Sequence, residues 1–273
     1  MLAVLVISII AGLLGALTGL GGGSIMIPVL VGFGVPVKYA IAASMITIIA
    51  TSSGSAASYV RERITHVRAA FYLEMFTIVG AIIGATITSY IAPRLLYFFF
   101  AFFLLTSFYG ISGHLHHDLP KRVKQDRFSK WLELSGSYYD QAAKRKVNYN
   151  MKNALLGGPA MMVAGLAAGM LGIGAGAFKV SIHELILKMP AKVSSTTSNF
   201  IIGITALAGA SVYFASGLFS VNLAAPMAVG ATVGALVGGR ILNRLPNRII
   251  RYLFLIVVTA LIIQMLYKGL TSP

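Results

Sequence analysis

Apolar stretches cover residues 2–20, 25–33, 39–60, 67–91 and 95–113, and then, after a polar interval at 114–150, residues 154–171, 177–187, 193–217, 223–242 and 249–267. Most of them approach the ~20 residues that an α-helix needs to cross ~30 Å of hydrocarbon. They are apolar all round, without the polar stripe of a helix lying on a soluble core. The pattern predicts a polytopic, all-α integral membrane protein. A transmembrane barrel would need short alternating strands, and these runs are long and continuous.

The pattern also predicts a duplication, since a set of segments is followed by a polar linker and by a matching set. A shift of 154 carries Val35-Pro36-Val37-Lys38 onto Met189-Pro190-Ala191-Lys192, Ser44 onto Ser198, Thr51 onto Thr205 and Tyr59 onto Tyr213. Upstream the glycines align at a shift of 151, Gly21 onto Gly172. Downstream they align at 150, Gly80 onto Gly230 and Gly84 onto Gly234. The expected organisation is a first transmembrane repeat (1–113), a basic linker (114–150) and a second repeat (151–273). The shorter second segment of each half follows a glycine-rich break, at 19–23 and 172–176, so each half opens with a U-shaped or re-entrant hairpin followed by three crossings. A hairpin of two full crossings satisfies the same pattern.

Composition agrees with lipid as the solvent: of 273 residues 57% are hydrophobic and 11% charged, against about a quarter charged in a soluble domain, and mean hydropathy is +0.84. The net charge of +15 would suit nucleic acid in a soluble protein. Here the basic residues flank apolar runs, so the reading is membrane topology and anionic lipid, with no nucleic-acid partner. The linker, with Lys121, Arg122, Lys124, Arg127, Lys130 and Lys144–Lys146, is expected in the cytoplasm, with both termini outside. The turn at Pro36 then falls outside and the one at Pro190 inside, which makes the repeats inverted, as in many secondary transporters. Residues 1–10 carry no Lys or Arg, unlike a secretory leader, so the N-terminus is expected to be retained in the cell membrane. The absence of cysteine removes disulfides and thiolate chemistry.

Helix N-termini offer free N–H groups and a positive dipole end, and a glycine break before a short helix presents one in each half. Candidate anion-binding residues are therefore Gly21, Gly22, Gly23 and Ser24 in the first break and Gly172, Gly174 and Gly176 in the second, the two breaks meeting near the midplane. Hydroxyls and an amide on the following helices join them: Ser44 and Thr51, then Thr197, Ser198, Asn199 and Thr205. As ligands, Ser44 and Ser198 should be replaceable by Ala at the expense of transport and not of folding. Ionisable groups in apolar segments are Glu74, with Arg68 or Arg61 as its expected partner, and Lys179, His183 and Glu184 on one short segment. Such groups default to function, but the last three also suit a hairpin arm reaching water. His114, His116, His117 and Asp118 could hold a metal, although a solvated loop boundary explains them as well. No acid–base–nucleophile set can be assembled, so an enzyme is not expected, and neither a cofactor nor a resident metal is called for.

Gly15-Ala-Leu-Thr-Gly-Leu-Gly-Gly-Gly-Ser, the pattern at 42–45, and Gly80-Ala-Ile-Ile-Gly before Pro93-Arg94-Leu95 resemble the TauE/SafE sulfite exporter family. So do the second-half copy Gly165-Leu-Ala-Ala-Gly-Met-Leu-Gly-Ile-Gly-Ala-Gly, Pro190 and Thr196-Thr197-Ser198-Asn199. Ala43 stands where the family commonly has Thr. The resemblance implies a membrane transporter exporting sulfite or organosulfonates such as sulfoacetate. The residue inventory agrees with an anion, since a cation site needs oxygen or imidazole ligands in number. A metal-ion permease and an anion channel are the alternatives, and a homo-oligomer is compatible with the sequence.

Overall fold

A computed structural model describes residues 2–88, 90–112, 123–242 and 244–271; the 114–118 histidine cluster lies outside them. The helices of the first half are α1 (Leu2–Thr18), α2 (Gly23–Gly32), α3 (Val37–Arg61), α4 (Val67–Thr88) and α5 (Pro93–Ser112). Those of the second half are α7 (Ala154–Leu171), α8 (Gly176–Leu185), α9 (Ala191–Ala215), α10 (Val221–Leu242) and α11 (Asn247–Thr271). Between them lie α6 (Arg127–Trp131) and the strands β1 (Ser135–Asp140) and β2 (Arg145–Asn150). Among the described residues, six helices are long and apolar enough to cross a membrane: α3, α4, α7, α9, α10 and α11. One of these, α7, was expected as a hairpin arm. Large side chains on their outer faces are exposed, including Phe71, Met75 and Val79 on α4 and Val229 and Val233 on α10. An apolar belt of that kind suits lipid and not water.

Proline sets the helix starts. Pro36 and Pro190 occupy the N-cap positions of α3 and α9 with extended ψ angles of 138° and 146°, and Pro93 is the first residue of α5, where its missing N–H costs no helical bond.

The packing contacts come in pairs. Gly80 and Gly84 of α4 lie against the backbone of Met162 and Leu166 on α7, while Gly234 and Gly238 of α10 lie against Ile9 and Leu13 of α1. Tyr59 donates its hydroxyl to the Ala16 carbonyl (2.9 Å), and Tyr213 does so to Gly169 (2.8 Å). Each member of a pair stands 153 or 154 residues from its counterpart, so one offset relates the contacts from α1 to α10. The apparent offsets of 151 and 150 are slips along glycine-rich sequence. A Gly-x-x-x-Gly stripe matches itself after four residues, so Gly80 aligns equally well with Gly230 and with Gly234; the contacts select Gly234. These stripes let the helix backbones touch, as small residues do between membrane helices.

The order of contacts gives the helix directions. Thr77 meets Gly165 and Ala81 meets Gly169, so α4 and α7 run in the same sense; Gly230 meets Leu5 and Gly234 meets Ile9, so α10 and α1 do too. The chain reverses after α1, bringing Ser8 Oγ to Met26 Sδ at 3.6 Å, and α2 descends beside the first half of α3, with Gly23 against Ile48 and the Ser44 carbonyl. With 10 residues, α2 is about 15 Å long, half of a membrane core.

The linker, expected as a polar connection, carries local structure. Asp126 caps α6 by accepting from the Ser129 N–H (3.1 Å) and Oγ (2.6 Å), and it also accepts the Asn153 N–H (2.7 Å). β1 and β2 pair antiparallel, Ser135 opposite Asn150 and Asp140 opposite Arg145. One face of the hairpin buries Tyr138, Val147 and Tyr149 against the helical bundle. At its tip the buried Asp140 carboxylate accepts the N–H groups of Ala142 and Ala143 and the ammonium of buried Lys192 at 2.6 Å.

Candidate functional site

The two glycine breaks are in direct contact. Gly176, the first residue of α8, lies so close to Gly19 and Leu20 that a Cβ would fall on the Gly19 carbonyl oxygen. Gly19 and Gly21 have φ of 77° and 73°, and their counterparts Gly172 and Gly174 have 62° and 64°. This left-handed backbone favours glycine, and it reverses the chain between α1 and α2 and between α7 and α8. Gly21 and Gly174 both face Ile48 and Ile202, residues at the middle of α3 and α9, so the breaks meet at mid-height of the two 25-residue helices.

Gly23 opens α2 and Gly176 opens α8. By helix geometry the first-turn N–H groups of each have no intrahelical acceptor. The adjoining carbonyls are covered. Ser44 Oγ lies 2.7 Å from the carbonyls of Ile41 and Gly172, and Ser198 Oγ donates to Gly19 at 3.1 Å; Ser24 Oγ donates to Gly21 at 3.0 Å. Each of Ser44 and Ser198 thus reaches from the long helix of one half to the break of the other. By occupying carbonyl oxygens they reduce the negative potential at the breaks and leave N–H groups as the available polarity.

The remaining candidates divide. Asn199 donates to the Ala16 carbonyl at 2.7 Å, while its Oδ1 is buried without a partner. Thr51 donates to its own helix at Thr47 (2.8 Å). Thr47 lies against Gly22 and Thr51, and its buried hydroxyl has no partner. Gly22 precedes α2 as its N-cap residue without a side-chain cap. Thr197 is not at the breaks. Its hydroxyl accepts the His66 N–H at 3.2 Å, on the side of α9 that meets the α3–α4 turn. Burial draws the His66 imidazole below its ordinary pKa, although Nε2 lies 3.2 Å from the Ser135 carbonyl.

Thr205 belongs to a buried charged network. Lys179 Nζ donates to Thr205 Oγ1 (2.5 Å) and lies 3.6 Å from Glu74 Oε2. Thr205 Oγ1 donates to Glu74 Oε1 at 2.7 Å, and Thr77 Oγ1 to Glu74 Oε2 at 2.5 Å. Lys179 is 0% and Glu74 3% exposed. The expected pairing of Glu74 with Arg68 or Arg61 is therefore corrected: Arg68 pairs with Glu133 outside the helical core, and Glu74 reaches α8. Nor do Lys179, His183 and Glu184 decorate an exposed arm, since protein buries all three. His183 Nδ1 lies 3.4 Å from the Ser194 carbonyl and its Nε2 has no partner. The sequence reading missed Thr77, although its i+3 position after Glu74 places it within reach on α4. It also missed the Asp140–Lys192 pair, which no periodicity signals.

Membrane helices, glycine-broken hairpins and a central contact between the halves now stand beside the comparison with known proteins. The family model for the sulfite exporter TauE/SafE matches residues 4–265. The chain belongs to the TauE/SafE family. It is also similar to the "Probable membrane transporter protein YunE" of Bacillus subtilis (strain 168), 24% identical over 275 residues that cover 98% of this chain and 97% of that protein. No solved structure matches it. Family and relative together identify a multi-pass membrane transporter.

Proposed function

We propose that this member of the family exports a small sulfur oxyanion, sulfite or an organosulfonate such as sulfoacetate, by alternating access between two inverted repeats. The observation that carries the reading is the contact between the glycine breaks at mid-height, where α2 and α8 both begin. Two helix N-termini in a water-poor interior favour an anion, and the partnerless Thr47 hydroxyl beside the first break adds an O–H donor. The sulfur follows from the family, which is named for sulfite export.

Helix direction supports the inversion. α1 and α10 share one sense and α4 and α7 the other, while α3, parallel to α1, turns back into α4. Each of α1 and α4 therefore runs against its own counterpart, α7 or α10. The basic charge of the linker supports a cytoplasmic position for residues 114–150, with both termini outside and the repeats at 1–113 and 151–273 on either side of it. Each α1–α2 or α7–α8 pair acts as a hairpin whose short arm begins at the site. Related units of opposite orientation exchange conformations when the site opens from one side to the other. Transport then needs no cofactor, only lipid and the anion.

The test is flux in proteoliposomes loaded with sulfite, sulfoacetate, taurine, sulfate or a divalent metal in turn. Sulfite or sulfoacetate should move faster than through protein-free vesicles and compete with each other. Selective movement of the metal, or of none of the panel, would overturn the reading.

A further inference from the structure

Among the places where two halves that share so many contacts differ, one buries a charged pair between α4 and α8. Under the 153–154 offset Lys179 corresponds to Met26, Glu74 to Ala228 and Thr205 to Thr51. The first half closes the position with a methionine, which accepts from Ser8, and Thr51 bonds to its own helix. The scaffold thus packs without a charged pair there. A buried ion pair is often no more stabilising than the apolar residues that could replace it, so stability does not explain why the pair stands at one of the two related places and not at the other.

Its position does. Lys179 stands one turn into α8, whose first residue touches Gly19 and Leu20, and Thr205 stands one turn beyond Ile201 and Ile202, the latter at the breaks. Glu74 holds its carboxylate beside the start of α8, where an incoming anion would find an ammonium and a helix N-terminus together. The carboxylate occupies the place of a ligand.

We propose that Glu74 and the transported anion compete for Lys179, so that each anion bound brings one proton onto Glu74. This rests on the reading of the breaks as an anion site. The exchange balances: the Lys179 ammonium paired with the Glu74 carboxylate, plus an anion and a proton, gives the ammonium paired with the anion, plus a neutral Glu74 carboxyl. No bond other than the O–H forms. An anion entering alone would leave two negative groups facing one ammonium in a low-dielectric interior, and the accompanying proton removes that excess. Thr77 and Thr205, which now donate to the carboxylate, can accept from the carboxyl after rotation about their C–O bonds, since a hydroxyl both donates and accepts.

Other titratable groups on the packed helices are His183 and Glu184 on α8, and Lys192 and Tyr213 near the two ends of α9. Lys192 is held by Asp140, and Tyr213 donates to Gly169. On α4 itself Arg68 and Tyr72 lie toward its start, and α7 contributes none. His183, one turn from Lys179 and with a free Nε2, is the rival acceptor of the proton.

The experiment is calorimetry of sulfoacetate binding to the purified full-length protein in two buffers of different ionisation enthalpy. Sulfoacetate is chosen because its own charges do not change near neutral pH. The wild type should take up about one proton per anion bound, and its affinity should fall about tenfold for each unit of rising pH. Glu74→Gln should still bind, with no proton uptake and no pH slope. His183→Asn should keep both, and Lys179→Met should lose binding. Binding by the wild type without proton uptake overturns this inference and leaves the transporter reading intact. Uptake lost in His183→Asn but kept in Glu74→Gln overturns the assignment to Glu74. If sulfoacetate and the rest of the flux panel do not bind at all, the reading beneath it fails and the inference with it. Should Glu74→Gln not fold, the wild-type stoichiometry and slope decide together with their persistence in His183→Asn, whose loss of both would overturn the assignment to Glu74.

Discussion

Replacing Gly176 by Ala is the most direct perturbation of the junction between the halves. Gly176 has an ordinary helical φ, so the substitution introduces no backbone strain of its own. The added methyl would stand 2.6 Å from Leu20 Cα and 2.7 Å from Leu20 C, and on the Gly19 carbonyl oxygen. Carbon atoms prefer about 3.5–4.0 Å, so the breaks must part by roughly 1 Å. All the colliding atoms are backbone and cannot rotate away. Overpacking of this kind costs about 1–3 kcal/mol. Gly32→Ala is the matched control, because it too is helical and a Cβ there meets nothing within 4 Å. Both variants gain the same helix propensity, about 0.5–1 kcal/mol, so their difference isolates the collision. Equilibrium unfolding in detergent should find Gly176→Ala less stable than Gly32→Ala by about 1–3 kcal/mol, with anion flux reduced only in the former. Equal stability and equal flux would refute the contact between the breaks.

Asp140→Asn should free the 135–150 hairpin to exchange and to be cut, because it strips a counter-ion from buried Lys192, a change worth about 3–5 kcal/mol; a hairpin as protected as in the wild type by hydrogen exchange would contradict this, and Asp140→Leu with Lys192→Met should be milder than Asp140→Asn. His66 has a lowered pKa in the folded chain through burial, so below the ordinary value of about 6.5 the unfolded chain takes a proton that the folded one declines. Stability should therefore fall as pH drops through that value toward 5, and thermal unfolding should lose this slope in His66→Gln. Ser44→Ala and Ser198→Ala should each destabilise by about 1–3 kcal/mol by uncovering a buried carbonyl, contrary to the expectation from sequence that folding would be indifferent. Unchanged unfolding in both would return these serines to the role of ligands.

Sequence served best where one physical constraint acted along the chain. Lipid demands continuous apolar helices, and their bounds were legible to within about four residues, and at 154–171, against α7, to the residue. The paired contacts of the two halves were legible where Pro36, Lys38, Ser44 and Tyr59 each found a distinctive partner. Register failed among glycines, because small residues carry close approach without individuality and Gly80 could match two positions. The hairpin in the linker was hidden because its inward residues, Tyr138, Val147 and Tyr149, are few and sit among charges that speak for solvent. Glu74 was recognised as out of place, but its partner was sought on nearby arginines. The pairing with Lys179 spans more than a hundred residues and depends on how α8 packs, which local pattern does not encode.

The balance of symmetry and asymmetry also bears on mechanism. The paired glycine contacts and the crossed serine–carbonyl bonds give each half the same grip on the other, so the backbone provides two related ways of packing. Nothing in that grip distinguishes a ligand. The distinguishing chemistry is charge, and it lies on one side only, at Glu74, Lys179 and Thr205, with Met26, Ala228 and Thr51 in the counterpart positions. A carboxylate that holds the ammonium in the absence of ligand ties α4, α8 and α9 together. Displacing it changes which helices are tied while leaving the glycine seams intact. On the proposed alternating-access reading, the seams would set how the halves move, and the network of Glu74, Lys179 and Thr205 would set when they do.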